Sequence, residues 1–377
     1  VSVVPDVPSE RSRAWASTGP GHTASDGLVR AHADAEPTVS VRAPRDRVER
    51  EAVEESLLQP GATRAHGAGE RARPEQPDRE RTCFERDRDR VLHSAAFRRL
   101  AGKTQVFVHP ADHQRTRLTH ALEVAQVGTA VSRGLGLNVA LTEAIAIAHD
   151  CGHGPGGHAS EDAFDEFVPG GYDHAVWGAD VVLTPLNLCA QTLDGVRNHS
   201  WSRPAPATAE GVVVSWADRI AYTAHDLEDA VHTGIVAVSD LPDDVAQVCG
   251  RTRREQLGSF IDELVACTAS TGVIGMRADH AAALGALRTF NYERIYTRPE
   301  ALAQSDSVVR VLRALVEHYV AQPAALPADR RDGVGDPVLA AVTYVGGMTD
   351  RYAFRTAQEL LDWPDDELPV GIDVPHR

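Results

Sequence analysis

From residue 83 onward, apolar residues recur at helical spacing in segment after segment, while strand signals are rare and short. This periodicity predicts an all-α fold, since a half-buried strand would alternate with period two. Val91, Phe97 and Leu100 lie beneath charged faces in ERDRDRVLHSAAFRRL. LTHALEVAQVGTAVSRGLGLN predicts an amphipathic helix of about five turns with a glycine-rich end. Asn138 can cap the next helix, ALTEAIAIAHD, which stops at Gly152 in the turn-rich loop CGHGPGGH. Further helices are expected over ASEDAFDEF, AVWGADVVL and LCAQTLDGVRNH. VVVSWADRIAYTAHDLEDAVHTG reads as one long helix, and helical patterns continue through 252–268, 278–290, 301–321 and from Val338. Aromatics are only 5%, so Ala, Val and Leu must fill the core.

Upstream the pattern fails. Residues 1–50 mix Pro, Gly, Ser, Ala and charge without periodicity, and predict a disordered N-terminal arm. Residues 51–82 hold one short apolar patch, Ser56-Leu57-Leu58, and read as an extended, loosely attached segment. The ordered helical domain is expected over 83–377.

The formal net charge is −16, which disfavours nonspecific duplex binding through the whole surface. Residues 119–250 carry 4 basic and 18 acidic side chains, so a polyanion bound there needs metal ions or imported arginines. Lys103 is the only lysine. Five scattered cysteines without a CxxC pair argue against a disulfide framework or a zinc ribbon. The first residues lack the order of a signal peptide, and no apolar run approaches the roughly 18 residues of a membrane span. A cytoplasmic protein without membrane partners is expected.

Four potential metal ligands fall on these helices: His120, the adjacent His149 and Asp150, and Asp218. Neighbouring residues on a helix point about 100° apart, so both can face one ion where the helix ends. Imidazole plus carboxylate suits Mn, Fe, Co or Mg, with open positions for water and substrate. A lone His-Asp dipeptide is a weak signal; its context is stronger. FERDRDRVLHSAAFRRLAGKTQVF, ADHQRTRLTHALEVAQ, AHDCGHGPGGHASE, YDHAVWGADV, DGVRNHS, PATAEGVVVSWADRIAYTAHDLEDA and YVGGMTDRYA occur in that order. Over roughly 56–360 the chain resembles the dGTP triphosphohydrolase (deoxyguanosinetriphosphate triphosphohydrolase-like) family of the HD superfamily.

The resemblance implies an HD-domain helical fold with additional C-terminal helices: a metal-binding core at about 115–235 and a C-terminal part at about 236–377. It implies one divalent metal held by His120, His149, Asp150 and Asp218, and release of triphosphate from a deoxynucleoside triphosphate, dGTP foremost. Relatives form ring-like hexamers or tetramers, so a homo-oligomer is expected, with an allosteric dNTP or weak single-stranded DNA binding as further partners. Two departures stand out. CGHGPGGH lacks the family's usual leucine and Phe, which predicts a looser loop, and YDHAVWGAD lacks the usual Asn and Ser after its His.

Hydrolysis at the α-phosphorus needs an activated water, charge neutralisation and a proton for the departing 5′ oxygen. His158 and Glu161, three apart, can face each other as general acid and orienting carboxylate, or as a surface capping contact. His153 and His174 resemble the family's other active-site histidines, although a structural role suits His174 nearly as well. Asp218, Tyr222 and Asp226 form one helical stripe, on which Tyr222 can pack against a deoxyribose or simply join the core, and Asp226 can accept from the 3′-OH. Arg219 adjoins a metal ligand and is a phosphate candidate. Arg117 shares the helical face of His120 and, with Arg115, is expected to reach the triphosphate. Tyr292, Tyr296 and Arg298 lie in NYERIYTRP, which resembles a family block of the nucleotide pocket or of subunit contacts. The glycine-rich loop lacks GK[ST], so a Walker-type cradle is not expected. Two other readings are an HD phosphohydrolase acting on an alarmone or a nucleoside monophosphate, and a catalytically weak nucleotide or single-stranded DNA sensor.

Overall fold

The computed structural model describes residues 9–24, 27–32, 39–40, 43–110, 114–331 and 335–371. They fall into two compact units, Val1–Arg45 and Asp46–Arg377. In the first, Ser9 caps a helix over Glu10–Ser17, and His22–Thr23 pairs antiparallel with Val29–Arg30. The expected disorder over 1–50 is therefore not what these residues adopt; the parts of the arm at 1–8, 25–26, 33–38 and 41–42 lie outside the described residues. The helix buries no residue, so it rests on local hydrogen bonds and left no apolar period to read.

In the second unit, Asp46 and Glu49 form a capping box that opens a helix over Arg47–Leu57. The expectation of an extended, loosely attached 51–82 fails here and again further along. Glu210, fully buried, accepts from Thr63 N (3.0 Å), Thr63 Oγ1 (2.6 Å) and Asn138 N (2.9 Å). Asp87, also fully buried, accepts from Arg71 Nη1 (2.6 Å), Cys189 N (2.8 Å) and Thr192 Oγ1 (2.8 Å). The segment is fastened by buried polar bonds rather than by apolar burial, which hydropathy does not register.

The expected all-α class holds: among the described residues the only sheet is the pair His22–Thr23 and Val29–Arg30. Arg117–Leu135 packs on Val139–Ala148 and on the long helix Ala209–His232. Asn138 caps the second of these through Leu141 N (3.1 Å), as expected. Close approach is made possible by small residues. A Cβ on Gly195 would stand 2.4 Å from Ile145 Cδ1. A second apolar cluster joins Ala159–Phe164 to the C-terminal helices Pro299–Ala321, Pro337–Gly346 and Asp350–Leu361. No helix among the described residues is long and apolar enough to cross a membrane.

Removing Asp87 would leave the buried Arg71 guanidinium with only the longer contact to Glu75, 3.7 Å. Asp87→Ala is expected to lower the unfolding free energy by about 3–5 kcal/mol, read from urea denaturation followed by circular dichroism. A loss under about 1 kcal/mol would mean that this attachment is not made there.

Candidate metal centre and active-site cavity

Three helices bring the four predicted ligands together. His120 comes from the first turn of Arg117–Leu135, His149 ends Val139–Ala148 with Asp150 next to it, and Asp218 lies midway along Ala209–His232. His120 Nε2 is 3.0 Å from Asp218 Oδ1 and 3.8 Å from Asp150 Oδ2. His149 Nε2 is 3.3 Å from Asp150 Oδ1 and 3.7 Å from Asp218 Oδ1. Adjacent ligands of an octahedral ion with bonds of roughly 2.1 Å are about 3 Å apart, so this spacing suits one divalent ion. The buried atoms agree. His149 Nδ1 donates to Ala146 O (2.6 Å), which leaves a lone pair on Nε2, and that buried nitrogen has no hydrogen-bond partner. Burial alone would push the Asp150 carboxyl up, but the neighbouring His149, the Arg117 charge and the His153 contact hold it well below the ordinary carboxylate range. It is thus ionised and ready for a cation.

Arg117 lines the cavity but meets a metal ligand first. It is buried, and its Nη1 donates to Asp150 Oδ2 (2.7 Å), so its first partner is a metal ligand. Arg115 is displaced further from the expectation: Glu123 (2.9 Å), Glu228 (2.5 Å) and Asp229 engage its guanidinium on the flank of the helix, away from the cavity lining.

The predicted pair His158 and Glu161 is present but loose, at 3.5 Å, with the His158 side chain 73% exposed. Glu161 binds His174 Nδ1 more closely, and the His174 ring stacks on His153 with centroids 3.8 Å apart. Against the cost of burial, the hydrogen bonds from His158 and His174 hold the Glu161 carboxyl well below its ordinary value. His199 was not singled out from sequence. It ends the helix Ala190–Asn198, its Nδ1 donates to Val196 O (2.8 Å), and its Nε2 stands 3.3 Å from His174 Nε2. The available signal was its place at a helix end, the same place His149 holds.

The loop between these histidines is not loosened by its glycines. A Cβ at Gly152 would stand 1.9 Å from His174 O, and one at Gly156 would stand 2.4 Å from Val308 Cγ1. Gly156 and Gly157 have positive φ, 73° and 64°. Lys103 is buried beneath the loop: it donates to His153 O and to Gly346 O (3.0 Å), and burial pushes its pKa down to about 8.

The metal ligands open into a cavity of about 470 Å³. Tyr222 and Asp226 line it beyond Asp218, as the helical stripe predicts. Arg288 Nε donates to Tyr222 Oη (2.9 Å), and Tyr296 Oη donates to Asp226 Oδ2 (2.6 Å) while Asp226 Oδ1 is buried without a partner. Arg219 lies flat over the Trp201 ring, 3.4 Å from its centroid. Tyr292 is exposed at the rim, and Arg298 is bound to Ile295 O (3.2 Å) outside the lining.

Burial pushes the Asp226 carboxyl up to about 7, against the hydrogen bond from Tyr296. A carboxyl whose pKa is higher folded than unfolded destabilises the native state increasingly as pH rises between those two values. Asp226→Asn removes that term. Its stability relative to the parent should therefore rise by roughly 1.4 kcal/mol per pH unit between about pH 4 and 7, then level off, in urea melts across that range. A pH-independent difference would refute the shift. Arg117→Ala should weaken metal binding about 10–100-fold, because it unbraces Asp150; unchanged affinity in a metal titration would return Arg117 to a purely substrate-facing role.

The model of the HD domain matches residues 117–223, and that of the phosphohydrolase-associated domain matches 274–359. A deoxyguanosinetriphosphate triphosphohydrolase-like protein of Caldanaerobacter subterraneus is 36% identical over 319 residues, covering 82% of this chain and 94% of its own length. One from Deinococcus radiodurans is 38% identical over 365 residues, with 82% and 98% covered. One from Clostridium tetani is 35% identical over 328 residues, with 82% and 93% covered. HD domains bind divalent metals, and the His-Asp cluster described above sits within the matched span. With the ligands converging as that domain requires and relatives this similar over nearly their whole length, the chain is an HD-domain phosphohydrolase and belongs to the deoxyguanosinetriphosphate triphosphohydrolase-like family.

Proposed function

We propose that this hydrolase cleaves deoxynucleoside triphosphates, dGTP foremost, at the α-phosphorus and releases the deoxynucleoside and intact triphosphate. The observation that carries the reading is one cavity lined by metal ligands, Arg219, Tyr222 and Asp226, the last two continuing the helical stripe away from Asp218. The stripe Asp218, Tyr222, Asp226 suits phosphate, sugar and 3′-hydroxyl in turn, with Arg219 as a cation for the phosphates. An ion of Mg, Mn, Co or Fe held by His120, His149, Asp150 and Asp218 supplies an acidified water and a polarised phosphoryl oxygen.

The chain's own groups do the rest. Arg219, stacked on Trp201, offers its guanidinium to the phosphates, where an interaction that strengthens with developing charge accelerates the reaction. His174, steered by Glu161 and stacked on His153, faces the same end of the cavity. His158 is open to solvent and within reach of Glu161, so it can reload a proton after delivering one to the 5′ oxygen. Tyr222, its hydroxyl tied to Arg288, sets a ring beside the sugar that leaves no room for a 2′-OH. The free Oδ1 of Asp226 takes the 3′-hydroxyl, and Tyr296 holds Oδ2. Tyr292 belongs to the rim of the same pocket. A cytoplasmic homo-oligomer completes the reading.

Product identification decides it. Each dNTP, singly and mixed, is incubated with Mg, Mn or Co and resolved by liquid chromatography. Deoxynucleoside plus triphosphate is expected; pyrophosphate or a monophosphate would replace this reading with another HD phosphohydrolase, and binding without product would indicate a sensor. Asp150→Ala should abolish turnover and metal uptake with helicity retained. Arg219→Ala should lower kcat/KM about 100-fold, and Tyr222→Ala should narrow the preference for deoxy over ribo substrates by about tenfold.

A further inference from the structure

We propose that Cys83 and Cys189 form an oxidation site, at which a peroxide converts the two thiols into a disulfide. The sulfurs come from helix starts 106 residues apart. Cys83 is the first residue of Cys83–Leu92, and Cys189 directly precedes Ala190–Asn198.

Three contacts hold the two backbones against each other. Arg71 pairs with Cys189 as an antiparallel bridge, and its Nη2 donates to Cys83 O (3.1 Å). Asp87, one turn after Cys83, accepts from Cys189 N (2.8 Å). Cys189 Sγ then stands 3.9 Å from Cys83 O, and its thiol also hydrogen-bonds the Cys83 side chain. A disulfide forms without backbone movement only where two such side chains already meet.

Access divides the roles. Of the five cysteines, Cys83 is the one that is not buried. It faces a cavity of about 110 Å³, which Arg47, Arg71, Arg81 and Arg86 also line. A water takes up roughly 30 Å³ in the liquid, so hydrogen peroxide fits beside the sulfur. Cys189 is fully enclosed, and its contact with Cys83, together with burial, pushes its pKa up, so it keeps its proton.

The Cys83 sulfur attacks one peroxide oxygen, the O–O bond breaks, and the departing hydroxide takes the Cys83 proton as water. Cys83 is then a sulfenic acid. The Cys189 sulfur attacks the Cys83 sulfur, the S–O bond breaks, and the hydroxyl leaves with the Cys189 proton as a second water. Two thiols lose two electrons, and one peroxide is reduced to two waters. The closed loop contains His120, His149 and Asp150, and so long a loop removes much of the unfolded chain's freedom. Oxidation thus makes covalent the attachment that Arg71 and Asp87 otherwise hold by hydrogen bonds. The proposal goes beyond the nucleotide reading and is read without measuring turnover.

The test is treatment of the full chain with a small excess of hydrogen peroxide, followed by thiol counting after denaturation and peptide mapping by mass spectrometry. Two of the five thiols should disappear, and a linked Cys83–Cys189 peptide should appear and be lost on addition of dithiothreitol. The melting temperature should rise by several degrees on oxidation and return on reduction. Cys189→Ser should instead hold a sulfenic acid on Cys83, captured by dimedone, and Cys83→Ser should keep all its remaining thiols. Should a variant fail to fold, the wild-type peptide map and melt still decide. All thiols retained, a linkage between other cysteines or between chains, sulfinic acid on Cys83 without a linkage, or a disulfide that leaves the melting temperature unchanged would each overturn the proposal.

Discussion

A single buried carboxylate, Asp150, organises the interior. Arg117 Nη1 lies 2.7 Å from it, His153 Nε2 3.2 Å and His149 Nε2 3.3 Å. An ionised carboxylate taken out of water is tolerated only when charge and hydrogen bonds surround it. Each partner must therefore be delivered by backbone that has little freedom. Arg117 starts its helix where its own N–H bonds Lys103 O (3.3 Å) and Thr104 bridges Thr116. His153 follows Asp150 by one tight turn, His153 N to Asp150 O at 3.1 Å, and Gly152 within it packs where a Cβ would stand 1.9 Å from His174 O. The glycines of the loop are thus a packing condition for the charge cluster, not a source of slack.

The C-terminal helices hold this loop from behind. Asp350, at the start of Asp350–Leu361, accepts from Gly156 N (2.8 Å), Thr104 N (3.0 Å) and Thr104 Oγ1 (2.6 Å). Lys103 joins His153 O to Gly346 O from the other side, and Val308 closes on Gly156. The region matched as phosphohydrolase-associated is therefore structurally part of the metal centre. Its helices keep the loop in the one conformation that lets His153 face Asp150.

Much of this was legible in the sequence, for reasons that can be stated. The ligands could be read because each lies on or at the end of a long periodic helix, where spacing translates directly into direction. The stripe Asp218, Tyr222 and Asp226 translated equally well. Arg115 and Arg117 could not be told apart that way: two residues apart on a chain entering a helix, one meets three carboxylates on the helix flank and the other is drawn inward to Asp150. His158 and His174 could not be ranked as partners of Glu161 for a similar reason. Helical spacing set His158 against Glu161, but a partner thirteen residues away came closer. His199 and Lys103 depend wholly on tertiary neighbours. The 47–82 segment escaped because Glu210 and Asp87, which fasten it, look like ordinary surface acids in a linear reading.

The charge balance gives these corrections a common direction. Among residues 119–250, with 18 acidic and 4 basic side chains, a polyanionic substrate needs cations, and the two nearest arginines upstream are already engaged by carboxylates. At the cavity wall this leaves Arg219, held flat by Trp201, and Arg288, delivered from the helix Ala278–Asn291. Arg288 reaches the cavity through Tyr222, so the cation from outside the acidic stretch arrives already bonded to the residue proposed to judge the sugar. In that reading, phosphate binding and sugar discrimination share one hydrogen bond. A sugar that displaces the Tyr222 ring also moves a guanidinium away from the phosphates, so its misfit is felt twice, once as a steric clash and once as lost charge neutralisation.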